Sequence, residues 1–215
     1  RNTRYQSLMQ GEEGLRLYTA DGNQDGILET IEAWFDESNG HWWPIDGLGH
    51  QEKVFLGLRA HYPTHHALAG VPMHALAETL DLDKAFLHVN TLDSMVFLNQ
   101  GGRFQSLPLP EVAQRSPVRD MVGADFNLDG YGDLFVAQNW ESTPDHIGRL
   151  DAGQGLILQG KPDGSFEPLS AGASGIRIDA EQQGAWVGDA NGDQRPDLWI
   201  QHSGMIQLYL NQLEL

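Results

Sequence analysis

The sequence contains no cysteine, which excludes disulfides, thiolate metal sites and thiol catalysis. It is also poor in basic residues: 13 Lys and Arg stand against 30 Asp and Glu, which gives a formal net charge of −17. A surface this negative repels phosphate backbones and disfavours nucleic acid as a partner. No apolar run approaches the ~20 residues of a membrane-spanning helix, so we expect no membrane span.

What the chain does have is enough length and apolar content to fold. Its 215 residues can bury a full core, and a hydrophobic fraction of 40% is too high for a disordered chain. It begins at Arg1, with neither Met nor an apolar leader, so we expect a processed product or a fragment. The question that remains is what so many carboxylates do.

The acidic residues are concentrated in copies of one nine-residue pattern, Asp-x-Asn-x-Asp-x-x-x-Asp/Glu. The copies cover 21–29, 125–133 and 189–197, and we call them the first, second and third acidic loops. Ca²⁺ takes six to eight oxygen ligands, and a tight loop supplies them from alternate positions. Gly26 and Gly130 at position 6 suit a sharp turn with positive φ, whereas the third loop has Gln194 there.

In each loop we predict calcium ligands at positions 1, 3 and 5 through side-chain oxygens, at position 7 through the backbone carbonyl, and at position 9 through a carboxylate. The residues at position 7 differ greatly from one another, which suits a backbone ligand. Acidic β-turns, which also favour Asp, Asn and Gly, are the alternative explanation. The predicted ligands are Asp21, Asn23, Asp25, Ile27 and Glu29; Asp125, Asn127, Asp129, Tyr131 and Asp133; and Asp189, Asn191, Asp193, Arg195 and Asp197.

The first acidic loop also fits a second kind of calcium loop. Counting twelve residues from Asp21 reaches Glu32, and Gly26 then stands at position 6, as in an EF-hand. An EF-hand needs a helix on each side, whereas residues 15–19 alternate like a strand. We therefore interpret the first loop as the same device as the other two.

Strand-like runs around the loops predict that each loop is the turn of a β-hairpin. The second and third loops begin 64 residues apart and the first and second 104, and the difference of 40 matches a segment with helical spacing at about 41–80. A repeat of about 60 residues with four strands is typical of a propeller blade. We predict an all-β fold of about three four-stranded blades, at 11–110 (with the helical insertion), 115–170 and 176–215.

The second and third loops, each followed by Leu, resemble FG-GAP repeats, also called VCBS repeats, of the integrin α-subunit propeller. The whole chain is similar to the C-terminal part of bacterial FG-GAP proteins related to cartilage acidic protein. The passages that carry this similarity are 60–64, 101–110, 137–139 and 148–155. The first loop departs from the repeat, because Glu29 stands where the family usually has Asp and Thr30 where it has Leu.

This resemblance implies a seven-bladed β-propeller with calcium in the blade hairpins, of which residues 1–215 form a part. Since propellers close with about four to eight blades, we expect a missing segment or another chain to complete it. The implied function is a secreted module, extracellular, at the cell surface or periplasmic, for adhesion, scaffolding, or binding of a protein or carbohydrate ligand. We expect no enzymatic activity; the alternative is the propeller portion of a polysaccharide lyase or hydrolase.

Histidines and tryptophans supply the other candidate sites. Four histidines in the helical segment raise the possibility of a transition-metal site, although Pro63 interrupts any common helical face: His61, His65, His66 and His74. Trp34 with the run 41–44 is a candidate sugar-stacking platform, or else fills the space between the insertion and its sheet. Asp145 and His146 form a loop pair without a visible nucleophile.

Overall fold

The computed structural model describes residues 3–9, 13–21, 25–82, 85–143 and 148–212. Strands take 39% of the chain and helices 17%, and the described strands form four antiparallel sheets of two to four strands, none of which closes on itself. The predicted all-β class is confirmed at this level. The chain divides into two compact units, Thr3–Leu92 and Asp93–Leu215.

The first unit contains one four-stranded sheet around the first acidic loop. Its strands are β1 (Leu15–Ala20), β2 (Glu29–Asp36), β3 (His41–Pro44) and β4 (Phe86–Val89), in the order β3-β2-β1-β4. β1 and β2 form the predicted hairpin, in which Ala20 pairs with Glu29. Because strands flank this loop on both sides, the EF-hand alternative for Asp21 to Glu32 is wrong.

Short helices fill the segment between β3 and β4. These helices are α2 (Leu48–Val54), α3 (Leu58–His61), α4 (His65–Ala69) and α5 (Met73–Thr79). A further short helix, α1 (Thr3–Gln6), precedes β1. The helical insertion predicted at 41–80 therefore begins only at Leu48. Its first residues form β3 instead, because Trp42 and Trp43 lie opposite Phe35 and Trp34 on β2, and cross-strand aromatic pairs stabilise a sheet. No helix within the described ranges has the length and apolar character needed to cross a membrane.

The helices of the first unit pack on one face of its sheet. Tyr18, Ile31 and Ala33 are buried on that face. The helical side chains that complete this core are Leu48, Phe55, Leu58, Leu68, Met73 and Leu76, and all of them are buried. Burying an aliphatic or aromatic side chain contributes about 1.5–3 kcal/mol, so this cluster holds the short helices that could not form alone.

The described strands of the second unit form three consecutive antiparallel sheets. β5 (Met95–Gln100) and β6 (Arg103–Pro108) form a hairpin, and a 3₁₀ turn follows at Glu111–Gln114. The four-stranded sheet has the order β10-β9-β8-β7, and its strands are β7 (Val118–Ala124), β8 (Asp133–Gln138), β9 (Leu156–Gly160) and β10 (Phe166–Leu169). After α6 (Ala171–Ser174), the three-stranded sheet contains β11 (Gln182–Gly188), β12 (Asp197–His202) and β13 (Met205–Tyr209).

These sheets relate to the predicted blades in different ways. The strands within the predicted blade 115–170 form one four-stranded sheet. The described strands within the predicted blade 176–215 form one three-stranded sheet. The strands within 11–110 lie in two sheets that belong to different units. The second and third acidic loops are the turns β7–β8 and β11–β12, so the predicted hairpins are present.

The two larger sheets of the second unit pack against each other through one buried cluster. Its members from both sheets and from the segment before β11 are Phe135, Ala137, Ile157, Ile176, Ile178, Ala185, Leu198 and Ile200. A hydrogen bond of 2.9 Å from the backbone N–H of Ala185 to the carboxylate of Asp120 also joins β11 to β7. The hairpins that carry the second and third loops are therefore held by a common core.

A buried asparagine just after β8 holds three segments of the second unit together. Asn139 is completely buried and has φ = 78°. Its Oδ1 accepts hydrogen bonds from the hydroxyl of Ser116 (2.9 Å) and the N–H of Gly153 (2.8 Å). Its Nδ2 donates to the carbonyls of Gly153 (2.8 Å) and Asp179 (3.1 Å). One side chain thus satisfies polar groups from segments far apart in the sequence.

Candidate calcium loops

The side chains of the second acidic loop fold back onto its own backbone. Asp125 accepts hydrogen bonds from the N–H of Asp129 (3.1 Å) and of Gly130 (2.8 Å). Asn127 accepts the N–H of Asp129 at 3.1 Å and donates through Nδ2 to the Asp129 carboxylate at 2.9 Å. Asp129 accepts the N–H of Tyr131 at 2.9 Å. The side chains at positions 1, 3 and 5 are thereby brought together.

The third acidic loop repeats these five bonds and adds one, from the N–H of Gly192 to Asp189 at 2.7 Å. Asp189 accepts the N–H groups of Asp193 (3.1 Å) and Gln194 (2.9 Å). Asn191 accepts the N–H of Asp193 at 3.0 Å and donates to its carboxylate at 3.0 Å. Asp193 accepts the N–H of Arg195 at 3.0 Å, and this bond, helped by the Asn191 amide, lowers the pKa of the Asp193 carboxyl.

The backbone of the second and third loops also turns in the same way. Positions 4 and 6 have positive φ in both: 57° at Leu128 and 90° at Gly130, against 81° at Gly192 and 64° at Gln194. Gly26, at position 6 of the first loop, has φ = 85°. The turn predicted at position 6 is confirmed, and at Gln194 a side chain accepts a conformation that only glycine adopts without strain.

The described part of the first loop follows the same pattern. Asp21 accepts the N–H groups of positions 5 and 6, each at 3.0 Å, and Asp25 accepts the N–H of Ile27 at 2.8 Å. Glu29 begins β2, where the second and third loops have an Asp that begins β8 or β12. Asn23 lies outside the described residues.

The carboxylate at position 9 of the second loop has a role that the spacing did not predict. Asp133 is only 1% exposed. Its Oδ2 accepts the N–H of Phe126 at 2.9 Å, and its Oδ1 accepts the N–H of Gly160 at 2.9 Å. Gly160 approaches so closely that a Cβ there would lie 2.2 Å from the carbonyl oxygen of Gly132, so only glycine fits. Asp133 therefore fastens the loop to the end of β9.

Position 9 of the third loop makes the equivalent contacts. Asp197 is completely buried and accepts the N–H groups of Ala190 and Asn211, both at 2.8 Å. The side chain of Asn211 also donates to the carbonyl of Phe126 in the second loop, at 2.7 Å. Gly160 ends β9 and Asn211 lies two residues after β13, so both are at the end of the strand that pairs with the hairpin. No sequence pattern marked either of them.

The oxygen atoms of the acidic loops are suited to calcium, although the carboxylate at position 9 already accepts backbone N–H groups. Within the described ranges, no three His, Asp or Glu side chains converge closely enough to hold one metal ion. In each complete loop the converging groups are two carboxylates and one amide, all of them oxygen ligands of the kind Ca²⁺ prefers. A carboxylate oxygen has about two lone-pair sites, so Asp133 and Asp197 can accept a cation while keeping their N–H partners.

Comparisons with known proteins do not assign the chain to a family. No family model, curated protein or solved structure matches the chain. The relationship to FG-GAP repeats therefore depends on the pattern and geometry of the three acidic loops, and it stays a proposal.

The other sequence-predicted sites are placed as follows. His61 ends α3, His65 and His66 begin α4, and His74 lies in α5, where its ring is 5.9 Å from that of His41. These histidines belong to no group of three potential metal ligands in the described residues. The pair at 145–146 lies outside the described residues.

Proposed function

We propose that the chain is a calcium-stabilised β-sheet repeat module of the FG-GAP type that binds a protein or carbohydrate ligand outside the cytoplasm. The observation that supports this most directly is the shared hydrogen-bond pattern of the second and third loops. Five hydrogen bonds that involve the side chains at positions 1, 3 and 5 occur in both loops. A simple acidic turn needs only one side chain bonded to the backbone about two residues on.

The side chains at positions 1, 3 and 5 would hold the ion, together with the carbonyl at position 7 and the carboxylate at position 9. Bound calcium would neutralise carboxylates that repel one another within each loop. Extracellular modules of this kind bind with a Kd of roughly 10⁻⁴–10⁻³ M, so they fill only where free calcium is about millimolar. This argues for secretion, into the medium, to the cell surface or into the periplasm.

The sheets of the second unit support blades of a propeller. A blade is a four-stranded antiparallel sheet packed against its neighbour, and the sheets β7–β10 and β11–β13 are consecutive, antiparallel and packed through a common core. We propose that they are two adjacent blades of a larger propeller, and that the remaining blades come from a further segment or another chain.

Removing calcium is expected to lower the melting temperature. At ~1 mM free calcium and a Kd of ~0.1 mM, binding stabilises the folded state by about 1.4 kcal/mol per site. Two sites would give about 2.8 kcal/mol, which corresponds to roughly 6 to 11 °C in melting temperature. Scanning calorimetry with calcium and with excess chelator measures this shift. Melting curves that coincide under the two conditions would show that the loops bind no calcium.

Asp129→Ala is expected to remove the calcium response of the second loop while leaving that of the third. The substitution deletes a position-5 ligand and two exposed hydrogen bonds, from the N–H of Tyr131 and the side-chain amide of Asn127, so stability in chelator changes little. Asp163→Ala is the matched control, because Asp163 is also an exposed turn residue that accepts two hydrogen bonds, from the N–H (2.9 Å) and the hydroxyl (2.6 Å) of Ser165, but lies in no acidic loop. A calcium titration followed by calorimetry should lose one binding event in Asp129→Ala and none in the control.

A further inference from the structure

The first unit contains a pocket of about 360 Å³ to which no acidic loop contributes a residue. Its lining includes two tryptophans, two buried leucines and two polar side chains: Trp34, Trp43, Leu48, Leu68, Asp46 and His65. The volume is near the lower end of the range for small-molecule pockets, about 300–1,000 Å³, and suits one sugar-sized ring.

The strand register explains why two of the tryptophans line this pocket and a third does not. Trp34 on β2 and Trp43 on β3 are direct cross-strand partners, so both project from the same face of the sheet. Trp42 projects from the opposite face, where it packs on the core and covers the guanidinium of Arg16 at 3.9 Å. All three tryptophans are half-buried, but only Trp42 packs against the core and so takes the filling role that the sequence allowed.

The rest of the pocket is fixed by local contacts. The side chain of Gln51 donates to the carbonyl of Asp46 at 2.6 Å, which holds the chain entering α2. Thr64 caps α4 by accepting the N–H of Ala67 at 3.1 Å, and this sets the position of His65 in the first turn of α4. His65 is exposed, so its imidazole is accessible to a ligand.

We infer that this pocket binds one pyranose ring of a neutral saccharide. The apolar C–H face of a pyranose can pack on an indole ring, which offers a large rigid apolar surface. The carboxylate of Asp46 accepts hydrogen bonds from hydroxyls, and the imidazole of His65 donates or accepts. A carboxylate in the pocket and a net charge of −17 disfavour acidic sugars. The inference deepens the proposed function by naming the ligand class, but it uses none of the predicted calcium ligands.

The test follows the indole N–H signals of ¹⁵N-labelled protein by NMR while maltotriose or cellotriose is added. Trp34 and Trp43 should shift saturably, with dissociation constants in the millimolar range, whereas Trp186 and Trp199 of the second unit should not. His65→Ala should weaken binding about fivefold through the lost hydrogen bond. The matched control is His66→Ala, since His66 is the next exposed histidine on α4 and does not line the pocket.

Several results would overturn the inference. These are an absence of shifts with both neutral sugars, equal weakening by His65→Ala and His66→Ala, or binding of trigalacturonate as tight as that of the neutral sugars. A proline-rich peptide that shifts Trp34 and Trp43 when neither sugar does would assign the pocket to a protein ligand instead. Repeating the sugar titration in chelator, beside the calorimetry with and without calcium, separates the two proposals. Sugar binding with no change in melting temperature on adding calcium refutes only the calcium loops. A calcium response without sugar binding refutes only the pocket.

Discussion

Asn139→Ala is expected to lower the free energy of unfolding of the second unit by about 4 kcal/mol, the largest effect we predict for one substitution. The change removes five hydrogen bonds and leaves the buried N–H of Gly153 without its acceptor. The hydroxyl of Ser116 keeps only its bond to the carbonyl of Leu150, at 2.9 Å. A buried unsatisfied donor or acceptor costs about 1–3 kcal/mol. Alanine at φ = 78° adds backbone strain that asparagine tolerates better.

Urea denaturation measures this effect as a lower midpoint with an unchanged slope. Asn139→Gly separates the two causes, because glycine relieves the strain but restores none of the hydrogen bonds. Asn99→Ala is the control, since Asn99 accepts one exposed N–H, from Gly102 at 2.9 Å, in the turn between β5 and β6. If Asn139→Ala destabilised the protein no more than Asn99→Ala does, the buried network would not be what joins these segments.

Asp197→Ala is expected to destabilise the second unit by about 3 kcal/mol, both with calcium and in chelator. Asp197 is completely buried, and its loss leaves the N–H groups of Ala190 and Asn211 without an acceptor. Asp133→Ala should behave in the same way, because it leaves Phe126 and Gly160 unpaired. These positions differ from Asp129, whose contribution we expect to depend on calcium.

Comparing Asp197→Ala with Asp193→Ala in the same loop tests this distinction. Both remove a carboxylate that the spacing assigns to calcium, but Asp193 is exposed and accepts only nearby groups, the backbone N–H of Arg195 and the side-chain amide of Asn191. In chelator, urea denaturation should show a large loss for Asp197→Ala and a small one for Asp193→Ala. Equal losses would mean that position 9 has no special role in holding the loop to the sheet.

The sequence was informative wherever the determining contacts are local. The strand-like runs around the acidic loops predicted the three hairpins, and the positive φ expected at position 6 is present at Gly26 and Gly130. Hydrogen bonds inside a loop join residues two to five positions apart, so repeated spacing reveals them directly.

Tertiary structure decided what local spacing does not encode. The partners of the ninth carboxylates, Gly160 and Asn211, lie 27 and 14 residues away in the sequence, and a partner at such distances follows from strand pairing alone. The register of β2 with β3 likewise chose Trp34 and Trp43, rather than Trp42, to line a pocket. By itself, the sequence determined that this is a β-rich protein with three acidic hairpin turns. Long-range pairing decided which carboxylates bond within their own loop and which are also fastened to a neighbouring strand, because a buried carboxylate takes its partners from whatever backbone the fold brings to it.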